Sequence, residues 1–251
     1  MQRAMIFDIG GVLVDTSHAI AEGYRRGFAA NGIGFPFTAD QVRHLRGIGK
    51  YNDHREAIRA LAAISISGAS IDAILWQDTA ESIIDAVIQN TISGEAEATL
   101  DKAAEAFNGF YKSGAAVPFL KEFPGTRECL HKLSERGYRL GVVSNSDRAW
   151  ASVMLEPIGE PLFSVVLTAD DVEAPKPSPS GIKQAMAVLD ADPRYTYYIG
   201  DSVKDIRASR GAGCSAVILL TGHGTKDRIS KEGPDLVFGS FAELAEHFLK
   251  V

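Results

Sequence analysis

Cysteine is nearly absent: the 251 residues hold two, Cys129 and Cys214. Two cysteines so far apart make neither a disulfide framework nor a metal-site spacing, and both read as buried thiols in a reducing compartment. Basic charge is also short. Lys and Arg number 26 against 32 Asp and Glu, a net charge of -6, and no basic run interleaved with aromatics occurs. Both facts argue against a nucleic-acid partner. No apolar run reaches the roughly 20 residues that cross a bilayer, and no charged-then-apolar leader precedes the first strand. Internal repeats and low-complexity tracts are missing too. These absences lead us to expect a cytoplasmic chain with neither nucleic acid nor membrane as partner. They leave its oligomeric state open. The length suits one large domain or a core with an insert.

What the chain does have is concentrated first in Met5-Ile6-Phe7-Asp8-Ile9-Gly10-Gly11-Val12-Leu13-Val14-Asp15. An apolar run ends in a carboxylate and a glycine pair, the pattern of a buried strand that delivers a side chain to a sheet edge. Gly10 and Gly11 let the backbone bend tightly and approach a ligand. The competing reading makes Asp8 a turn acceptor at a strand end.

The texture then changes. Residues 16–117 read as helices with short breaks: His18 to Asn31, a capped start at Thr38 with Gln41 at the capping-box position, His54 to Ile64, Ser70 to Ile92, and Thr99 to Tyr111. No convincing strand interrupts them, so they form a helical insert large enough for a small core of its own. Beyond it strands and helices alternate. Strands are expected at Ala4 to Ile9, Tyr138 to Val143, Phe163 to Leu167, Tyr195 to Ile199, Ser215 to Leu220 and Leu236 to Phe238. The helices between them predict an α/β fold, a parallel sheet with helices on both faces. The expected organisation is a three-layer, Rossmann-like parallel-sheet core over 1–15 and 118–251, with a helical domain over 16–117.

Three strands end in chemistry: at Asp8, at Ser144-Asn145, and at Gly200-Asp201 with Asp205 four residues on. In a parallel sheet these groups meet at one edge, and Lys176, on the stiff Ala174-Pro175-Lys176-Pro177-Ser178-Pro179 loop, can be held above it. The set meets the demands of phosphoryl transfer. A carboxylate can attack phosphorus, paired carboxylates can hold Mg²⁺, and a hydroxyl, backbone N–H groups and a lysine can hold phosphoryl oxygens. Taken singly, Asp201 reads equally as a helix cap, Asp205 as a solvated helical acid, Ser144 as a turn residue and Lys176 as a surface lysine.

Asp8-Ile9-Gly10-Gly11-Val12-Leu13, Ser144 after an apolar strand, Lys176 in Lys-Pro-Ser-Pro, and Gly200-Asp201-Ser202-Val203-Lys204-Asp205 resemble, in order, the four signatures of the haloacid-dehalogenase-like hydrolase superfamily. The resemblance covers the whole chain, and residues 16–117 resemble that superfamily's helical cap. It implies a Mg²⁺ cofactor and a small phosphorylated substrate. Asp8 would be nucleophile and metal ligand, and the Gly10 carbonyl, Asp201 and Asp205 would be further ligands, the last directly or through water. Ser144, the Asn145 backbone and Gly11 would hold the transferring group, and Lys176 would pair with Asp8 and the phosphate.

One position departs from the pattern. Most phosphatases of the superfamily carry a second Asp two residues after the nucleophile, as general acid and base; here it is Gly10. Loss of such a group typically costs about 10²–10⁴ in rate. Three readings follow. The first is a Mg²⁺-dependent hydrolase of a small phosphorylated compound, weakened by the missing acid. The second resembles phosphonoacetaldehyde hydrolase, whose equivalent position is also small and which uses a cap lysine to form a Schiff base; Lys50, in Arg46-Gly47-Ile48-Gly49-Lys50, stands in about the right place. The third is a non-catalytic phosphate- or protein-binding module. His18, His44 and His54 read as structural or solvated, Trp76 and Trp150 as packing residues, and Asp170-Asp171 as a solvated turn. His223, between Gly222 and Gly224, stands where it can line the site.

Overall fold

A computed structural model describes residues 2–158, 162–224 and 226–250. The chain divides into two compact units, Met1–Thr16 with Lys121–Val251, and Ser17–Leu120.

The first unit is built on six parallel strands: β1 (Gln2–Phe7), β4 (Tyr138–Val143), β5 (Val165–Leu167), β6 (Ala191–Gly200), β7 (Ser215–Leu219) and β8 (Leu236–Phe238). They lie in the order β5-β4-β1-β6-β7-β8, and every pairing is parallel. Counting these six alone, that is the doubly wound order, whose connections reverse direction between the first strand and its later neighbour. The reversal falls between β1 and β6. Ala4 to Phe7 are wholly buried, as a strand covered on both faces requires. Their side chains alternate between two layers. Ala4 and Ile6 join Ile182, Ala185, Tyr198 and Ala208 in one cluster, while the Phe7 ring lies 6.5 Å from that of Phe241.

Register decides what reaches the edge. Phe7 pairs with Val142 on one side and with Ile199 on the other. The residues just beyond, Asp8, Ser144 and Asp201, therefore emerge together. β1 runs two residues earlier than the expected Ala4 to Ile9, so Asp8 stands just past the strand with its N–H still donating to the Ile199 carbonyl at 2.9 Å. β6 is longer than expected because its polar start pairs across a register shift with β1, Gln2 against Ala191. The two short strands β2 (Val14–Asp15) and β3 (Lys121–Glu122) pair antiparallel. Two-residue strands carry no readable periodicity, and their sequence gives no warning of them.

The second unit is helical: Ser17–Ala30, Ala39–Arg46, His54–Ser67, Ile71–Leu75, Ala80–Thr91 and Gly94–Lys112. It has its own core, with Tyr24, Phe28, Leu61, Ile84, Phe107 and Tyr111 buried. The Thr38–Gln41 capping box forms as expected. The single helix expected from Ser70 to Ile92 is two. Ile71, Ile74 and Leu75 face inward, and so do Ala80, Ile84 and Ile88. The step from Leu75 to Ala80 is one residue too long for a continuous helical stripe, and Trp76 at the break is 72% exposed.

Candidate active site

The turn after β1 winds back on itself: Gly11 N–H donates to the Val14 carbonyl at 2.9 Å, and Leu13 N–H to that of Ile9 at 2.9 Å. Gly11 sits at φ 80°, a left-handed backbone that favours glycine. A Cβ there would also lie 2.6 Å from Asp201 Oδ2. The loop after β7 closes in from the other side. Thr221 Oγ1 donates to the Gly11 carbonyl at 2.7 Å, and a Cβ on Gly222 would lie 1.9 Å from Asp201 Oδ2. Backbone thus packs directly against Asp201, and His223 holds that carboxylate with its N–H at 3.0 Å and its Nδ1 at 3.1 Å.

Asp8, Asp201 and Asp205 each offer an oxygen, and these lie within 4.8 Å of one another. Asp205 is both a capping-box residue of helix Val203–Ala212 and a member of this cluster. Its Oδ2 accepts from Ser202 Oγ at 2.6 Å, Ser202 N at 3.0 Å and Asp201 N at 3.2 Å. Its Oδ1 accepts from Lys176 Nζ at 2.7 Å. The same ammonium lies 3.0 Å from Asp8 Oδ2 and donates to Tyr198 Oη at 2.6 Å. The main chain of Lys176 is clamped by Asn145, whose Oδ1 accepts from Lys176 N at 2.7 Å and whose Nδ2 donates to the Lys176 carbonyl at 2.8 Å. Ser144, next to that clamp, is 5% exposed, and its Oγ accepts from Ser146 N at 3.2 Å.

Burial and mutual charge set the protonation of Asp8, Asp205 and Lys176. Desolvation pushes the Asp8 carboxyl up to about 6; the charges of Asp205 and Asp201 add to the rise, and Lys176 opposes it. For Asp205, burial alone would raise the pKa, but the Lys176 ammonium and the Ser202 hydrogen bonds hold it below the ordinary carboxylate value. Burial would depress Lys176, yet Asp205 and Asp8 outweigh it and keep the ammonium charged.

The structure therefore brings Asp8, Lys176, Asp201 and Asp205 together, with Asn145 and Gly11 one contact away. Gly10 follows in the turn; a Cβ on it would face Thr16 and Met154 at 3.5 Å or more. Lys50 lies in the helical unit, 2.9 Å from Asp85 and 3.8 Å from Glu56, and the Asp85 hydrogen bond raises its pKa. Asp170 and Asp171 shape the turn after β5. Asp171 accepts from Thr168 N at 2.8 Å and pairs with Arg148, whose N–H donates to Asp170 at 2.8 Å. Sequence reasoning missed Tyr198 and Thr221. A tyrosine in an otherwise apolar buried strand must find a partner for its hydroxyl, and that rule is the signal that points to Tyr198.

A doubly wound sheet with a buried acidic cluster at its switch point defines an α/β enzyme core with its chemistry at the carboxyl edge. A family model described as haloacid dehalogenase-like hydrolase matches residues 5–219, and the chain belongs to that family. A Haemophilus influenzae phosphoglycolate phosphatase is 33% identical over 149 residues, 59% of this chain and 66% of that relative's length. A Salmonella typhi phosphoglycolate phosphatase is 29% identical over 244 residues, 96% of this chain and 90% of the relative. Among solved structures, a Lactobacillus delbrueckii subsp. bulgaricus protein superposes with a TM-score of 0.73 at 22% identity, covering 98% of both chains. The matched family is one of hydrolases. Among the described residues no helix is long and apolar enough to cross a membrane.

Proposed function

We propose that the protein is a Mg²⁺-dependent phosphatase of a small phosphorylated metabolite, working in the cytoplasm through an aspartyl-phosphate on Asp8. One observation carries the reading: three carboxylates converge within 4.8 Å against a single buried ammonium. Fully ionised, the cluster keeps two negative charges beyond what Lys176 balances; the Asp8 pKa is raised first by burial, and the charges of Asp205 and Asp201 add to the rise. An all-oxygen donor set with surplus negative charge suits Mg²⁺, a hard cation that keeps several waters and also binds substrate phosphate. Asp8, the Gly10 carbonyl and Asp201 would hold the ion. Asp205, with both oxygens already hydrogen-bonded, would reach it through a water. When bound, Mg²⁺ offsets charge on the phosphoryl oxygens.

The chain's own residues do the rest. An Asp8 carboxylate oxygen attacks phosphorus, a new P–O bond forms, and the bond to the leaving oxygen breaks. The leaving alkoxide takes its proton from solvent, since Gly10 offers none. Water then attacks the phosphorus of the aspartyl-phosphate, releasing inorganic phosphate and regenerating Asp8. Lys176 holds Asp8 in place for attack and balances charge on the transferring group. The Ser144 hydroxyl and the Asn145 N–H hold the phosphoryl oxygens; the Gly11 N–H, expected to join them, is bonded to the Val14 carbonyl at 2.9 Å and does not. The missing acid makes turnover slow for alkyl phosphates and faster where the leaving group is stable as an anion. The helical unit acts as a cap that selects the substrate, and the names of the two curated relatives make 2-phosphoglycolate the first compound to try.

The phosphonate reading needs a neutral amine at Lys50, whereas its carboxylate partners raise its pKa, so nothing favours it. The test of the phosphatase reading is phosphate release from p-nitrophenyl phosphate, acetyl phosphate, 2-phosphoglycolate and a sugar-phosphate panel. Turnover should require Mg²⁺, stop with chelator and vanish in Asp8→Asn. No release from any compound with Mg²⁺ present would reject the reading in favour of a binding module.

A further inference from the structure

Tyr198 is wholly buried in β6, the strand that ends at Gly200 just before Asp201, and its hydroxyl has two partners. Lys176 Nζ lies 2.6 Å away and the Val143 carbonyl 2.8 Å away. The direction of both bonds follows from the groups themselves. An ammonium only donates and a carbonyl only accepts, so the phenol proton points to Val143 and a lone pair faces Lys176. The Lys176 ammonium has three N–H groups and three acceptors: Asp205 Oδ1 at 2.7 Å, Asp8 Oδ2 at 3.0 Å and Tyr198 Oη at 2.6 Å. Of these, the phenol is the one neutral acceptor, and the last carbonyl of β4 fixes its orientation. Two residues further along, Asn145 clamps the main chain of the same lysine. The end of β4 thus fixes Lys176 at both its root and its tip.

We propose that Tyr198 is a positioning residue, whose hydroxyl serves as the anchored third acceptor that keeps the Lys176 ammonium aimed at Asp8. The proposal deepens the phosphatase reading and rests on it for the catalytic consequence, but the hydrogen-bond coupling stands independently. Without the hydroxyl, a buried carbonyl loses its donor and an ammonium N–H loses its acceptor. The ammonium is then free to shift away from Asp8.

The experiment is a double-mutant cycle with Tyr198→Phe and Lys176→Met in the full chain, read by p-nitrophenyl phosphate hydrolysis with Mg²⁺ and by urea unfolding. Tyr198→Phe should lower kcat by at least about tenfold while KM stays within about threefold, because alignment of the nucleophile matters in the transition state. In the Lys176→Met background the same change should cost nothing further. A merely structural tyrosine would give losses that multiply, and that outcome, or a kcat within about twofold of wild type, overturns the proposal. If the wild type turns nothing over, the phosphatase reading fails and the cycle is read in urea alone. Non-additive midpoints then support the coupling, and additive ones refute it. Should Tyr198→Phe not fold, the wild-type protein is measured by NMR. A slowly exchanging Tyr198 hydroxyl proton with a cross-peak to the Lys176 ammonium supports the bond, and its absence refutes it.

Discussion

Replacing Gly10 by Asp tests whether one missing carboxyl limits this site. The backbone accepts the change. Gly10 lacks the left-handed conformation of Gly11, and its added Cβ would meet Thr16 Cγ2 at 3.5 Å, Thr16 Oγ1 at 3.6 Å and Met154 Sδ at 3.9 Å, all ordinary van der Waals contacts. Removing a glycine also narrows the unfolded ensemble, worth about 0.4–1 kcal/mol in favour of the fold. A general acid or base is worth about 10²–10⁴ in rate, which is roughly 3–5 kcal/mol of barrier. A newly installed carboxyl, lacking evolved support, should recover the lower part of that range. The assay is kcat/KM for an alkyl phosphate and for p-nitrophenyl phosphate, in wild type and in Gly10→Asp, at saturating Mg²⁺. The alkyl phosphate should gain at least about tenfold and p-nitrophenyl phosphate clearly less, because nitrophenolate leaves without a proton. The gain must disappear in the Asp8→Asn background. A folded Gly10→Asp protein with no gain on the alkyl phosphate would refute the reasoning. An equal gain on both compounds would refute it too, since it would mark better binding rather than proton transfer.

Two further outcomes follow from the same geometry. In metal-free protein the Asp8 pKa lies at about 6 instead of 3.8, so between those values the folded state binds more protons than the unfolded, and stability falls as pH rises through that window. Asp8→Asn removes the buried charge, and its urea midpoint should exceed wild type at about pH 7, with the difference shrinking toward about pH 4. A midpoint below wild type at neutral pH would mean that the ion pair with Lys176 outweighs desolvation. Gly222→Ala places a Cβ 1.9 Å from the present position of Asp201 Oδ2. It should weaken Mg²⁺ binding by about 10–100-fold in calorimetric titration while the circular dichroism stays unchanged. Unaltered affinity would show that the loop yields instead of the carboxylate.

The sheet and its acids were legible because both follow from short-range pattern. Apolar runs that end in Asp8, Ser144 and Asp201 name the strands, and once those strands are parallel and in register, their ends must coincide. Elements that depend on a distant partner were not legible. The pairs Val14–Glu122 and Asp15–Lys121 exist because of where the chain leaves and re-enters the α/β unit. The break between Leu75 and Ala80 was countable, but the apolar residues on either side concealed it. Site residues divided likewise. Asp8 and Asp205 carry charge in a recognisable spacing. The part of Thr221 is a hydroxyl bond to a backbone carbonyl 210 positions away, and no local pattern encodes that.

The cluster also distributes its hydrogen bonds unequally, and that inequality assigns the roles within the proposed mechanism. Asp205 accepts from Lys176 Nζ, Asp201 N, Ser202 N and Ser202 Oγ. That many donors overcome its burial and keep it ionised. Asp8 accepts from its neighbour Ile9 N at 2.8 Å and pairs with Lys176 at 3.0 Å, which is too little, and its pKa rises. Two carboxylates that share one lysine are thus pushed apart in acidity, the arrangement that separates a fixed structural anion from a reactive one. In the proposed mechanism the less satisfied carboxylate is the one that attacks phosphorus, and a divalent cation held at the cluster would offset its charge.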